Sequence, residues 1–584
     1  MEPIEHLADT WLQQDQDDAT RREITDLLQA NDEAELEKRL RKRIAFGTAG
    51  LRASMKAGFA HMNALTVLQA SQGLAQYALE QHEDAVSERP SVVIGYDARY
   101  NSEKFARLAA TAFIRKGFTV LWFGRLVHTP MVPFAVSRYQ ALVGVMVTAS
   151  HNPKNDNGYK VYWKNGSQII PPHDRGIAKA IEEVSVIASW ETSTVDHDPN
   201  VRRIFPKTVE AYCDSLRALV APFSRNEQSM PFTYTPMHGV GLPFMQQVVD
   251  ILQLPGDTMR VVEAQARPDP DFPTVPFPNP EEHGALDLAM QEAERNGSTI
   301  ILANDPDADR FAAAERLGSG RWHQFTGNQM GVLLASHVVE TWRGQRKQLA
   351  MLASTVSSRM LSAMAEKEGF HYQETLTGFK WLGNVAQDLR DRGYEPAFAY
   401  EEAIGYMFPT LVWDKDGIAG AAVFLSARQR WREQGLTSYE KLQSLYQTYG
   451  YFDDANTYLI SPSPETTDRV FTDIRTFGAQ GDPPTSIGHR QIRRWRDLTT
   501  GYDSADAVNG KPDLPVDASA QMITVVLDDV VFTARGSGTE PKIKLYIEAR
   551  AASSQKAKGL ADDVLRDLLR EWFKPEYSLR LAGT

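Results

Sequence analysis

Four polar stretches of this chain hold residues whose types and spacing could do chemistry. In Thr148-Ala149-Ser150-His151-Asn152-Pro153, Ser150 offers a hydroxyl that could act as a nucleophile or carry a phosphate. His151 is a poor base for it, because adjacent side chains in an extended loop tend to point apart, so activation has to come from elsewhere. In Asn304-Asp305-Pro306-Asp307-Ala308-Asp309-Arg310, three carboxylates alternate at the end of an apolar run. Like charges this close repel, a cation is the means of holding them, and an all-oxygen set suits Mg²⁺. An EF-hand loop is excluded, since its sixth position is Arg310 and its twelfth Arg316. Arg310 beside the triplet favours a phosphate-bearing ligand.

The third stretch, Tyr400-Glu401-Glu402-Ala403-Ile404-Gly405, is preceded by Thr377-Gly378-Phe379-Lys380. Its glutamates read either as surface charge or as carboxylates that bind sugar hydroxyls. The fourth, Arg535-Gly536-Ser537-Gly538-Thr539-Glu540-Pro541-Lys542, combines small residues, two hydroxyls and two cations. That composition makes an anion nest suited to phosphate, while the G-K-[ST] ending of a Walker loop is absent.

These loops must be positioned by elements around them. After a charged N-terminal stretch with helical spacing at Leu27, Leu28, Leu36 and Leu40, short apolar runs alternate with amphipathic ones. Val92–Tyr96, Thr119–Phe123, 141–148, 233–235, 298–303 and 349–352 read as strands, and 104–116, 331–342 and 438–449 as helices. Apolar strands separated by helices predict parallel sheets in an α/β fold. From about Phe452 the character changes to strands at 521–527 and 544–549 and a helix over 554–572, a small α+β domain. The Pro-rich stretch 267–280 reads as an ordered loop instead of a linker.

Composition bounds the rest. At about 150 residues per domain, 584 residues suggest roughly four domains. Hydrophobic residues at 42% and charged residues at 24% exclude disorder. The net charge of −12 argues against nucleic acid and acidic lipid as partners, so an anionic substrate needs a local cluster of cations. A single cysteine, Cys213, excludes internal disulfides, and the acidic N-terminus is unlike a signal peptide; the expectation is a cytoplasmic protein with no membrane span.

In this order the four loops resemble the α-D-phosphohexomutase superfamily, from Phe46 onward. Phe46-Gly47-Thr48-Ala49-Gly50-Leu51-Arg52, Thr-Gly-Phe-Lys, Glu-Glu-Ala-Ile-Gly and Gly-Ser-Gly-Thr-Glu-Pro-Lys look like its phosphopentomutase and phosphoribomutase branch. The resemblance implies three related α/β domains with mixed sheets and a smaller α+β C-terminal domain around a central cleft. The boundaries expected here are a helical extension over 1–45, then 46–207, 208–323, 324–450 and 451–584, one loop to each domain.

The resemblance further implies a mutase that interconverts the 1-phosphate and terminal phosphate of ribose or glucose through a phosphoserine at Ser150 and a sugar bisphosphate. Asp305, Asp307 and Asp309 would hold Mg²⁺ together with a phosphoserine oxygen. Arg52, His151 and Arg310 would line that centre, and Lys160 would serve as general acid and base. A free lysine titrates near about 10.4, so neighbouring cations would have to depress it. Thr377, Gly378, Lys380 and Glu402 would meet the sugar and its phosphate, and Arg535, Ser537, Gly538 and Thr539 would grip the phosphate that is not reacting. Five cations, Arg52, Lys160, Arg310, Lys380 and Arg535, would converge on the ligand. Ile404 stands where hexose-specific relatives have Ser, and Tyr406 where some have His, which weakens the case for hexose. A glucose-1,6-bisphosphate synthase and an idle phosphosugar-binding protein are the alternatives. Monomer and dimer both stay open.

Overall fold

The structure, a computed structural model, describes residues 2–46, 50–82, 89–184, 186–221, 231–478, 481–506, 508–537 and 541–582. It falls into two compact units, Met1–Leu352 with Gly378–Ser438, and Ala353–Thr377 with Tyr439–Thr584.

The first unit opens with helices Ile4–Gln14, Asp18–Gln29 and Glu33–Leu40. Asp17 and Asp32 cap the second and third by accepting from Ala19 and Glu35 N–H groups. Their apolar stripes bury Trp11, Ile24, Leu36 and Leu40 against Phe59 and Leu65.

The first sheet contains β1 (Leu51–Ser54), β2 (Ser91–Tyr96), β3 (Thr119–Trp122), β4 (Val143–Val147), β5 (Asp156–Trp163) and β6 (Val201–Arg203), in the order β1-β5-β4-β2-β3-β6. Strands β2, β3, β4 and β6 are parallel, and helices Ala64–Glu80 and Ser102–Arg115 pack in the same core as β2 and β4. Burial on both faces explains why β2, β3 and β4 read as continuous apolar runs. Strands β5 and β1 are antiparallel additions, so the sheet is mixed and not parallel as the local pattern predicted. The polar stretch after Ser150 therefore turns back as β5, with Lys160 opposite Met146.

The second sheet orders β11-β10-β9-β7-β8, from β7 (Phe232–Thr235), β8 (Met259–Val261), β9 (Ile300–Asn304), β10 (Phe311–Arg316) and β11 (Trp322–Gln324). It too is mixed: β9 runs parallel to β7 and antiparallel to β10. Asn304 pairs with Phe311, which makes 305–310 the turn between two buried strands.

Next in the chain come β12 (Leu349–Ser354), β13 (His371–Thr375), β14 (Glu395–Glu401) and β15 (Gly405–Met407). β14 and β15 form a tight antiparallel pair around the 401–405 turn. Phe379, Leu382 and Leu389 of helix Phe379–Asp391 pack on Ala399 and Met407. Asp416 caps the long buried helix Gly417–Glu433 by accepting from the Ile418 and Ala419 N–H groups.

The second unit carries β13 and, after helix Ser438–Tyr449, an antiparallel sheet. Its strands are β16 (Tyr451–Asp454), β17 (Thr457–Ile460), β20 (Arg494–Asp497), β21 (Tyr502–Asp503), β22 (Met522–Val526), β23 (Val530–Gly536), β24 (Lys542–Ala551) and β25 (Arg580–Leu581); a small hairpin of β18 (Ser486–Ile487) and β19 (Arg490–Gln491) lies beside it. Helix Ser554–Glu571 covers a core of Phe471, Trp495, Phe532 and Trp572. Among the described residues, no helix is long and apolar enough to cross a membrane.

Candidate active site

Ser150 follows β4 with φ +55°, a left-handed conformation uncommon for a residue with a Cβ. That turn buries the side chain and aims its Oγ at the metal loop, where it donates to Asp305 Oδ2 at 2.6 Å. The same turn brings His151 Nδ1 to 3.3 Å from Ser150 Oγ. The expectation that the two side chains point apart is thus corrected, because the loop is not extended there. Burial, with the Arg310 and Arg52 guanidinium groups nearby, pushes His151 well below its ordinary pKa, so the ring is neutral.

The three aspartates are fully buried, and one oxygen from each lies within 4.8 Å of the others. Asp307 Oδ2 accepts from Thr129 Oγ1 at 2.6 Å and from Lys160 Nζ at 2.8 Å. Asp309 Oδ2 lies 2.7 Å from Lys160 Nζ and 2.9 Å from Lys415 Nζ. Asp305 Oδ1 accepts the Arg310 N–H at 3.0 Å. The outer oxygens, Asp307 Oδ1 and Asp309 Oδ1, are buried with no hydrogen-bond partner. Burial and the two neighbouring carboxylates push Asp305 well above the usual carboxylate range. Burial opposes the charge on Asp307 as well, yet contact with Lys160 holds it well below that range. Buried acceptors left without donors, in an all-oxygen set, fit a hard divalent cation.

Lys160 is buried between Asp307 and Asp309. Burial works against its charge, but the two carboxylates overcome it and raise its pKa above the ordinary lysine value. The anticipated depression by cations is thereby reversed, since the nearest charges are negative. Arg310 is likewise desolvated but held charged by Asp305 and Asp309, and its Nη1 donates to the Ala403 carbonyl at 3.3 Å. Arg52 is solvent-exposed, and its Nη1 donates to Asn152 Oδ1 at 3.2 Å.

In the 401–405 turn, burial and the adjacent Glu402 raise Glu401 to about 7, and its Oε1 accepts the Gly378 N–H at 2.6 Å. Glu401 thus ties the Thr-Gly-Phe-Lys stretch to the turn, while Glu402 is half-buried beside it. Gly378 has φ +106°, a value that favours glycine. Lys380 is buried in the first turn of its helix with Nζ 5.3 Å from the Trp381 ring centroid. Ile404 and Tyr406 are core residues, 1% and 0% exposed.

In the second unit, Arg535 on β23 donates through Nη1 to Thr377 Oγ1 at 2.6 Å. The Ser537 N–H donates to the Lys542 carbonyl at 2.8 Å, closing the loop between β23 and β24. Gly538 and Thr539 lie outside the described residues, as do Gly47, Thr48 and Ala49 of the Phe46–Arg52 stretch.

Sequence reasoning missed Thr129 and Lys415, both in contact with the triad. Asp414-Lys415-Asp416-Gly417, a charged run ending in a helix cap, was the available signal for Lys415; nothing local marked Thr129.

Family models for phosphoglucomutase/phosphomannomutase domains I, II, III and C-terminal match residues 43–187, 210–318, 326–449 and 499–567. The chain belongs to the phosphoglucomutase/phosphomannomutase family. It has that family's four-domain architecture, and its chemistry is intramolecular phosphoryl transfer on a phosphosugar, an isomerase activity. The phosphoribomutase of Saccharomyces cerevisiae is 45% identical, over 97% of this chain and 96% of the relative. Glucose 1,6-bisphosphate synthase of Homo sapiens is 40% identical, over 96% and 92%. A crystal structure of a family protein from Burkholderia thailandensis shares the fold with a TM-score of 0.65 at 18% identity, covering 92% of this chain and 99% of that one.

Proposed function

We propose that this mutase interconverts ribose 1-phosphate and ribose 5-phosphate, and glucose 1-phosphate and glucose 6-phosphate, through phosphorylated Ser150. The observation that carries this reading is the 2.6 Å contact between Ser150 Oγ and buried Asp305 of the carboxylate triad. In the forward half-reaction a sugar hydroxyl oxygen bonds to phosphorus, the bond to Ser150 Oγ breaks, and the proton lost by the sugar hydroxyl is balanced by the one that Ser150 Oγ gains as it departs. The sugar bisphosphate so formed turns over, and its other phosphate returns to Ser150. Lys160, charged as placed, would give its proton to the departing Ser150 Oγ and take one back from the attacking sugar hydroxyl, and Arg310 and Arg52 would balance phosphoryl charge. Asp305, Asp307 and Asp309 would hold Mg²⁺, which supplies charge neutralisation for the transferring group. Arg535 and Ser537, with Gly538 and Thr539, would take the distal phosphate, and Lys380 and Glu402 the sugar and its phosphate.

Ribose is placed first because the relative at 45% identity is a phosphoribomutase. Likeness to a glucose 1,6-bisphosphate synthase supports a second reading, in which bisphosphate is released as product. The single buried cysteine is in keeping with a reducing cytoplasm. Ser150→Ala should abolish both interconversions, and undiminished turnover would sink the mechanism. Bisphosphate accumulating faster than mutase product, with an acyl phosphate as donor, would favour the synthase.

A further inference from the structure

The reactive serine sits in a backbone conformation that has to be enforced, and the enforcing groups come from the Asp97-Ala98-Arg99 turn after β2. The Ser150 N–H donates to Thr148 Oγ1 at 2.8 Å, and that hydroxyl donates onward to Asp97 Oδ2 at 2.6 Å. On the other side of the same residue, Arg99 Nη2 donates to the Ser150 carbonyl and to the Asn152 carbonyl at 2.6 Å. Arg99 Nη1 donates to the Pro153 carbonyl at 2.9 Å. Asp97 Oδ1 is itself fixed by Ser102 Oγ at 2.6 Å and by the Arg99 N–H at 3.0 Å. Both charged side chains are 1% exposed, with Arg99 Nε 3.5 Å from Asp97 Oδ2 and its guanidinium 5.0 Å from the Phe272 ring centroid.

A buried ion pair kept only for stability would direct its donors at its partner. Here the guanidinium gives its hydrogen bonds to four carbonyls, those of Ser150, Asn152 and Pro153 in the serine loop and that of Asp156 at 3.4 Å where β5 begins, and Arg99 Nε stays without one. Both ends of the Ser150 backbone unit are thereby anchored, one through Thr148 and one through Arg99, while neither Asp97 nor Arg99 touches the reacting oxygen. We propose that Asp97, Thr148 and Arg99 are positioning residues that lock Ser150 in its left-handed conformation, so that its oxygen stays in line for phosphoryl transfer. The proposal rests on the mutase reading. Misplacement of a reacting atom by about 1 Å costs about 100-fold in rate, so loosening either anchor should show in kcat before it shows in binding.

The test uses the full-length enzyme with Mg²⁺, glucose 1,6-bisphosphate as phosphoryl donor and ribose 1-phosphate as substrate. Intact mass reads Ser150 phosphate occupancy, and steady-state assays read kcat and KM. Arg99→Lys keeps the charge and loses the fork; Thr148→Val loses the hydroxyl and Thr148→Ser keeps it. Expected are kcat losses of about 100-fold for Arg99→Lys and about 10-fold or more for Thr148→Val, with KM within about threefold and near-normal rates for Thr148→Ser. If Arg99→Lys does not fold, the two Thr148 variants carry the same comparison. Variants that load phosphate and turn over like the wild type overturn the positioning role. A wild type that never takes phosphate on Ser150 overturns the mutase reading instead, and a Thr148→Ser variant as slow as Thr148→Val shows a packing effect and overturns the hydroxyl relay.

Discussion

At the scale of single residues, the site is a balance of buried charges, and Lys160 is where it can be tested. Its ammonium is shared between Asp307 and Asp309, each of which also keeps an oxygen without a partner. Lys160→Met leaves those charges short of a counter-ion, which costs about 3–5 kcal/mol when a buried pair is broken. Thermal unfolding in a chelator should show that loss, and saturating Mg²⁺ should shrink it, because ligand binding stabilises the folded state. An equally stable variant in chelator would mean the lysine does not hold the carboxylates. Turnover should fall by about 100-fold, the usual scale for a lost proton carrier. Ser150 and the three aspartates were legible in the sequence because they end apolar strands, where α/β folds expose reactive groups. Lys415 and Thr129 were not, since their contacts reach 106 and 178 residues along the chain, to Asp309 and Asp307. Ile404 and Tyr406 were singled out by position alone, and both side chains are buried, Tyr406 as the β15 residue paired with Tyr400.

At the scale of elements, the apolar strands and amphipathic helices were readable within a few residues, and so were the antiparallel β22 and β24, but the antiparallel members β1, β5, β10 and β15 were not. β5 reads Asp-Asn-Gly-Tyr-Lys-Val-Tyr-Trp, polar and Gly-containing at its start, and only pairing with β4 and β1 makes it a strand. Pairings set by tertiary partners also hold β13 to β20 in the second unit. Glu374 of β13 accepts from Arg496 of β20 at 2.9 and 3.1 Å, and Arg359 Nη2 lies 3.4 Å from the same carboxylate. Burial opposes the Glu374 charge, but the two guanidinium groups outweigh it and lower its pKa from 4.5 to about 2. A carboxylate depressed in the folded state stabilises above its unfolded pKa, and the contribution disappears as pH falls from 4.5 through 2. Second-unit stability should therefore drop over that window by on the order of 3 kcal/mol from this group. Glu548, raised by burial to about 7, has the opposite sign: its contribution is present below 4.5 and fades as pH rises through 7. Denaturant unfolding at pH 3 and pH 5 should show the acid loss in the wild type and a much smaller one in Glu374→Gln; equal losses would remove Glu374 as the cause.

At the scale of the whole molecule, the chain passes between its two compact units three times, after Leu352, Thr377 and Ser438. Length and loop order foreshadowed four domains, yet compactness follows a different partition. Residues 353–377 group with the C-terminal sheet because the Glu374, Arg359 and Thr355 contacts lie there, and no local pattern announces a contact to Arg496 more than 120 residues away. The partition has a measurable consequence for metal binding. All three triad carboxylates, both lysines that touch them and Ser150 belong to the first unit. A ligand that binds only the folded form of a region suppresses the openings that expose its site, by about 2.7 kcal/mol at one hundred times its Kd. Amide hydrogen exchange with and without Mg²⁺ should therefore slow over β4, β5, β9 and β10, by up to about 100-fold where sub-global opening governs exchange. Peptides over β22 and β23 should keep their rates. Equal protection in both regions would mean that the two units open together as one cooperative body, and no protection over β9 and β10 would remove Asp305, Asp307 and Asp309 as the cation site.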